Sequence, residues 1–135
     1  MTVRIPYHPP SPRGIKWFSS LHIREREETT MIAHLLVMYP TPRNPKEFDR
    51  AYREEHLPYA SPRLVGATSV ISKRVGSSPG NGAPFYAISD ISFPTLDALQ
   101  SCAASQGAKE ALAHAASIST GGPPVVLVVT DDLAG

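Results

Sequence analysis

Tyr52 and His56 stand four residues apart in a segment rich in helix formers, and Phe48 lies one turn earlier. Side chains at i and i+4 share a helix face, so the three make one slanting row that passes from apolar to titratable. If that row packs against a sheet, the imidazole leaves bulk water, and its neighbours then decide whether it is protonated near neutral pH. General acid/base chemistry on a small molecule suits such a pair, with His56 moving a proton and Tyr52 holding a substrate oxygen or fixing the imidazole tautomer. The competing reading makes His56 a helix-end histidine favoured by the C-terminal dipole, and Tyr52 a core aromatic whose hydroxyl is satisfied locally.

Other chemistries find less support. His34, His56 and His114 have no ligand-like spacing with a carboxylate or cysteine, so no metal site is expected. Cys102 lies among alanines and serines with no basic neighbour and reads as a small core residue. Gly80-Asn81-Gly82 has no following helix and Gly121-Gly122 precedes a strand, so neither forms a phosphate cradle. No cofactor is expected. His34 interrupts an apolar run and needs a hydrogen-bond partner. It is a candidate for substrate contact, and the alternative is a structural or interfacial pairing with Asp90. Tyr39, Tyr86 and Phe93, with Phe48, are candidates for the aromatic wall of a substrate pocket.

The elements that would position these residues follow from pattern. Ile32 to Tyr39 is apolar and β-favouring, is ended by Pro40 and Pro42, and predicts a strand. Asn44, Pro45 and Glu47 make a helix start, and the helix is expected to run to about Leu57, closed by Pro58. Ala67 to Val75 and Phe85 to Phe93 predict a hairpin around a Gly-, Ser-, Pro- and Asn-containing loop. Thr95 caps a second helical stretch, interrupted at Ser105 and Gly107 and ended by Gly121-Gly122, and Val125 to Val129 predict a last strand. The order is βαββαβ, which predicts an α+β ferredoxin-like fold: a four-stranded antiparallel sheet with both helices on one face. The first and last strands are apolar on both sides, so the uncovered sheet face predicts a homodimer packed sheet to sheet.

With 135 residues, 41% of them hydrophobic, the chain supports one core. Residues 1–30 hold four prolines between Pro6 and Pro12 and a charge cluster from Arg24 to Glu28, and are expected as an extended or partly disordered extension. Within them Ile15 to Ile23, with Trp17, is apolar enough to dock on a surface. Residues 31–131 form the domain and 132–135 a tail. Thirteen Lys and Arg against twelve Asp and Glu, scattered along the chain, give +1 and no basic stripe, which argues against nucleic acid. The single cysteine and the lack of a long apolar segment predict a cytoplasmic protein that does not enter a membrane.

The ordered set of Met31 to Tyr39 with Pro40, Phe48-Asp49, Tyr52, His56-Leu57-Pro58, Phe93 with Leu96 and Leu99, Gly107 and Gly121-Gly122 resembles the EthD family of the dimeric α+β barrel superfamily. The resemblance covers Met31 to about Asp131. It implies a ferredoxin-like homodimer with a small-molecule pocket, and the family's characteristic histidine falls on His56. Family members are associated with ether degradation alongside an oxygenase system and with tailoring of polyketide-like aromatics. Val65-Gly66-Ala67 replaces the family's usual Pro-Gly-Leu, and the first thirty residues match nothing in it. Two functions stay open: an enzyme performing cofactor-independent dehydration, cyclisation, isomerisation, decarboxylation or oxygenation on an apolar oxygenated or aromatic metabolite, and a non-catalytic metabolite-binding protein that supports an oxygenase.

Overall fold

The structure, a computed structural model, describes residues 31–77 and 82–133, together with the backbone of 2–4. Five strands, β1 (Thr2–Arg4), β2 (Ala33–Tyr39), β3 (Ser69–Arg74), β4 (Ala87–Phe93) and β5 (Val125–Thr130), form one antiparallel sheet in the order β1-β3-β4-β2-β5. Without β1 this is the expected ferredoxin-like order, with β2 and β4 at the centre. The short β1 extends the sheet along the edge of β3, Thr2 opposite Ile71 and Arg4 opposite Ser69. This strand is extended backbone within the first thirty residues: Thr and Val favour strands, and the β3 edge offers unpaired backbone groups. The expected docking of Ile15 to Ile23 lies outside the described residues.

The helices are α1 (Pro45–Ala51), α2 (Leu57–Ala60), α3 (Leu96–Ala103) and α4 (Gln106–Ile118), all on one face of the sheet. Their starts follow the sequence signals. The Asn44 side chain accepts from the Glu47 amide at 3.1 Å, Thr95 from Ala98 at 2.9 Å and Ser105 from Ala108 at 3.1 Å. Between α1 and α2 the helix widens into a π-helical turn, Tyr52–His56, in which the Leu57 amide bonds back to the Tyr52 carbonyl. The helix therefore does not stop before Pro58. It continues to Ala60 and ends in a tight 3₁₀ turn, Ser61–Arg63. Pro58 brings no amide hydrogen and crowds the preceding turn, and a wider turn immediately before it accommodates both defects.

Alternation along β2 turns Ala33, Leu35, Val37 and Tyr39 into the helix-covered core, where they meet Phe48, Tyr52, Leu57, Leu99, Ala111 and Ala115. Gly121 fixes how the end of α4 meets the loop after β2, because a Cβ there would lie 1.9 Å from the Thr41 carbonyl oxygen. The opposite sheet face carries Leu36, Met38, Ile71, Ile88 and Leu127, and Val125 to Val128 on β5 stay 39–52% exposed. It is not uniformly apolar. His34 Nδ1 lies 2.8 Å from Asp90 Oδ1, His34 Nε2 3.2 Å from Asp131, and Lys73 Nζ 3.2 Å from Asp90 Oδ2. No helix among the described residues is long and apolar enough to cross a membrane.

Candidate functional site

His56 is 6% exposed and closes the π-helical turn, with its ring directed into the core. Its Nδ1 lies 2.9 Å from His114 Nδ1 on α4, and its Nε2 lies 3.5 Å from the Tyr39 hydroxyl on β2. One proton occupies the space between the two Nδ1 atoms. When His56 holds it, Nε2 is free to accept from Tyr39; when His114 holds it, His56 carries its proton on Nε2 and the Tyr39 oxygen accepts. Burial first, and His114 second, lower the His56 pKa to about 4, so the ring is neutral at pH 7. The two imidazoles stack at 5.1 Å and Tyr59 stacks on the outer side of His114 at 4.9 Å, with the Arg63 guanidinium 3.6 Å above Tyr59. This column leads from the core to the surface.

Tyr52 occupies the start of the same turn, and its ring lies 5.6 Å from that of His56. Its hydroxyl points elsewhere, to Ser72 Oγ at 2.6 Å and Ser89 Oγ at 2.7 Å. The hydroxyl beside the imidazole belongs to Tyr39, which lines one small cavity together with His56 and Ser89. Burial raises the pKa of both tyrosines, so both stay protonated. The result is a file of polar groups in two hydrogen-bonded runs, His114–His56–Tyr39 and Ser89–Tyr52–Ser72, whose facing ends, Tyr39 and Ser89, line the same small cavity.

Each end of the file opens on a groove. Tyr52 and Ser72 line a cleft of about 280 Å³ between α1 and the ends of β3 and β4, and His114 lines one of about 340 Å³ between α1 and α4. The cavity touching His56 itself is much smaller, about 20 Å³ among Leu57, Ala60, Leu64 and Leu112. That is room for about one water.

Of the residues singled out in the sequence, Phe48, Tyr52, Tyr39 and His56 are brought together: Phe48 stacks on Tyr52 at 5.8 Å and meets Tyr39 edge-on at 5.0 Å. Tyr86 sits beside them, edge-on to Phe48 at 5.7 Å, with its hydroxyl bonded to Asp49 and Arg74. Phe93 is fully buried beside Gly66 and lines none of these spaces. His34 projects from the other sheet face, where the helices do not reach. Its place in the β2 alternation puts it out of phase with Tyr39, so it cannot share their pocket. Burial alone would lower its pKa, but Asp90 and Asp131 outweigh that and raise it. His114, Ser72 and Ser89 were not read from the sequence as members of the site. The signal for His114 was its position between Ala111, Ala115 and Ile118 on the inward stripe of α4. Among the described residues no three His, Cys, Asp or Glu side chains gather to hold a metal ion.

No protein-family model matches the chain, and none of the curated proteins does. Solved structures do. An EthD family protein of Bacillus halodurans superposes with TM-score 0.65 at 20% identity, over 73% of this chain and 97% of that one. An EthD-like protein of Ralstonia eutropha gives 0.58 at 19% identity, over 78% and 96%. A dimeric ferredoxin-like protein of unknown function from a Jannaschia species gives 0.52 at 17%, over 73% and 97%. The shared feature is the fold, a ferredoxin-like α+β domain.

Proposed function

We propose that the chain is an EthD-like homodimer performing acid/base chemistry, with its own side chains, on a small oxygenated or aromatic molecule. The observation that supports it is the file of polar groups, two hydrogen-bonded runs meeting at one small cavity, that leads from a neutral, buried imidazole to an open cleft. The cavity at His56 holds about one water, so a substrate meets the file at its Tyr52 end. There a substrate hydroxyl gives its proton to the Tyr52 oxygen as Tyr52 passes its own to Ser89; a water in the small cavity that Ser89 and Tyr39 share carries a proton across, and Tyr39 passes its own to His56 Nε2. His56 then releases its Nδ1 proton to His114. The positive charge ends on His114, at the half-buried outer end of the file, and none stays on His56 in the apolar interior, where holding one is costly. The substrate oxyanion so formed is the species that an elimination, a ring closure, an isomerisation or attack by oxygen starts from. The likeness to EthD-family structures supports the same reading at the level of fold.

Replacing His56 with Ala and with Gln, and assaying turnover of candidate phenols and other small hydroxylated molecules, tests the assignment. Turnover is expected to fall about 10²- to 10⁴-fold in both, the usual worth of a general acid/base. Product formation that survives both changes refutes it. A purely binding role is favoured instead if ligands bind the wild type with full affinity and no candidate is turned over.

A further inference from the structure

The Tyr52 cleft carries information about what fits it. One side is apolar and aromatic: the stacked rings of Phe48 and Tyr52 and the side chain of Ala87. The rim carries the cations of Arg53 and Arg74 against a single carboxylate, Asp49. One of these cations is already engaged. Arg74 pairs with Asp49 at 2.9 Å, and Lys73, whose backbone borders the cleft, sends its ammonium to Asp90 on the other sheet face. Arg53, exposed on the π-helical turn next to Tyr52, makes no ion pair among the described residues. An aromatic floor, a hydroxyl pair at one end and an unspent guanidinium at the lip are the parts needed to hold a ring that bears an anion. Arg suits a carboxylate because its fork meets both oxygens.

We propose that this cleft binds a small aromatic acid bearing a hydroxyl group, with its ring against Phe48 and Tyr52, its hydroxyl at the Tyr52–Ser72 pair and its carboxylate on Arg53. The assignment rests on the proposed function for the choice of cleft and adds the charge and shape of the ligand. A cleft of about 280 Å³ is at the small end of ligand sites, which run from about 300 Å³ upward, and it suits one ring rather than a nucleotide.

The test uses the full chain with 4-hydroxybenzoate and its uncharged counterpart 4-hydroxybenzamide, titrated by calorimetry and by NMR. The acid is expected to bind at one site per chain with shifts at Tyr52 and Ser72, and to bind about fivefold or more tightly than the amide. R53Q is expected to erase that preference while leaving amide binding unchanged, and R53K to retain part of it. Equal binding of acid and amide, a preference that survives R53Q, or no saturable binding of either overturns the proposal. H56Q separates it from the catalytic reading, since His56 does not line the cleft: acid binding is expected to persist there while turnover is lost. Turnover that survives H56Q sinks the catalysis and leaves the ligand class standing. A lost preference for the acid in the wild type sinks the ligand class alone.

Discussion

His56 is a base kept neutral by its surroundings, and that has a cost the protein meets at low pH. Its pKa is about 4 in the folded chain and about 6.5 when exposed, so the unfolded state takes up a proton that the folded state refuses. The stability associated with the neutral ring is complete above pH 6.5 and is lost as pH falls toward 4. The difference corresponds to about 3 kcal/mol at the acid end. Urea unfolding at pH 7 and pH 4.5 measures it, and H56Q, which cannot titrate, should show a visibly smaller loss between the two. An equal loss in both proteins would assign the acid sensitivity to other groups.

At the scale of elements, small residues set the approach of one segment to another. Gly121 leaves no room for a methyl group beside the Thr41 carbonyl, at the joint between the end of α4 and the loop after β2. G121A is expected to destabilise the fold by about 1–3 kcal/mol, the usual cost of overpacking, read as a lower urea midpoint at unchanged slope. The sequence carried much of this architecture openly. Caps at Asn44 and Thr95 and the apolar run of β2 are local signals, and local signals survive without knowledge of the fold. The π-helical turn was hidden, because its cause, Pro58, is in most helices a stop. The histidine pair was hidden too: His56 and His114 come from helices 58 positions apart, and nothing in one segment announces the other. His34 shows the converse case, where strand alternation would have assigned it to the far face once Tyr39 was taken as inward.

For the whole molecule the unresolved surface is the uncovered side of the sheet. It combines Leu36, Met38, Ile88 and Leu127 with the His34–Asp90–Lys73 cluster, and β5 leaves four consecutive apolar residues exposed. The sequence showed the apolar share of this face. It did not show the ion pairs, which need the register of three strands. A homodimer through this face predicts a dimer mass by light scattering at micromolar concentration, and Leu127→Lys with Leu36→Lys should give a folded monomer by placing charges in the seam. A monomeric wild type would refute the association.

The widened turn between α1 and α2 is an insertion that the helix absorbs. It holds one residue more than an ordinary helix needs to make the same rotation, so Phe48 before it and Leu57 after it both keep their faces in the core. Removing a single residue between Tyr52 and His56 would wind the turn back to regular pitch and leave those flanks where they are. Only the residues of the turn would shift, and the candidate histidine is one of them.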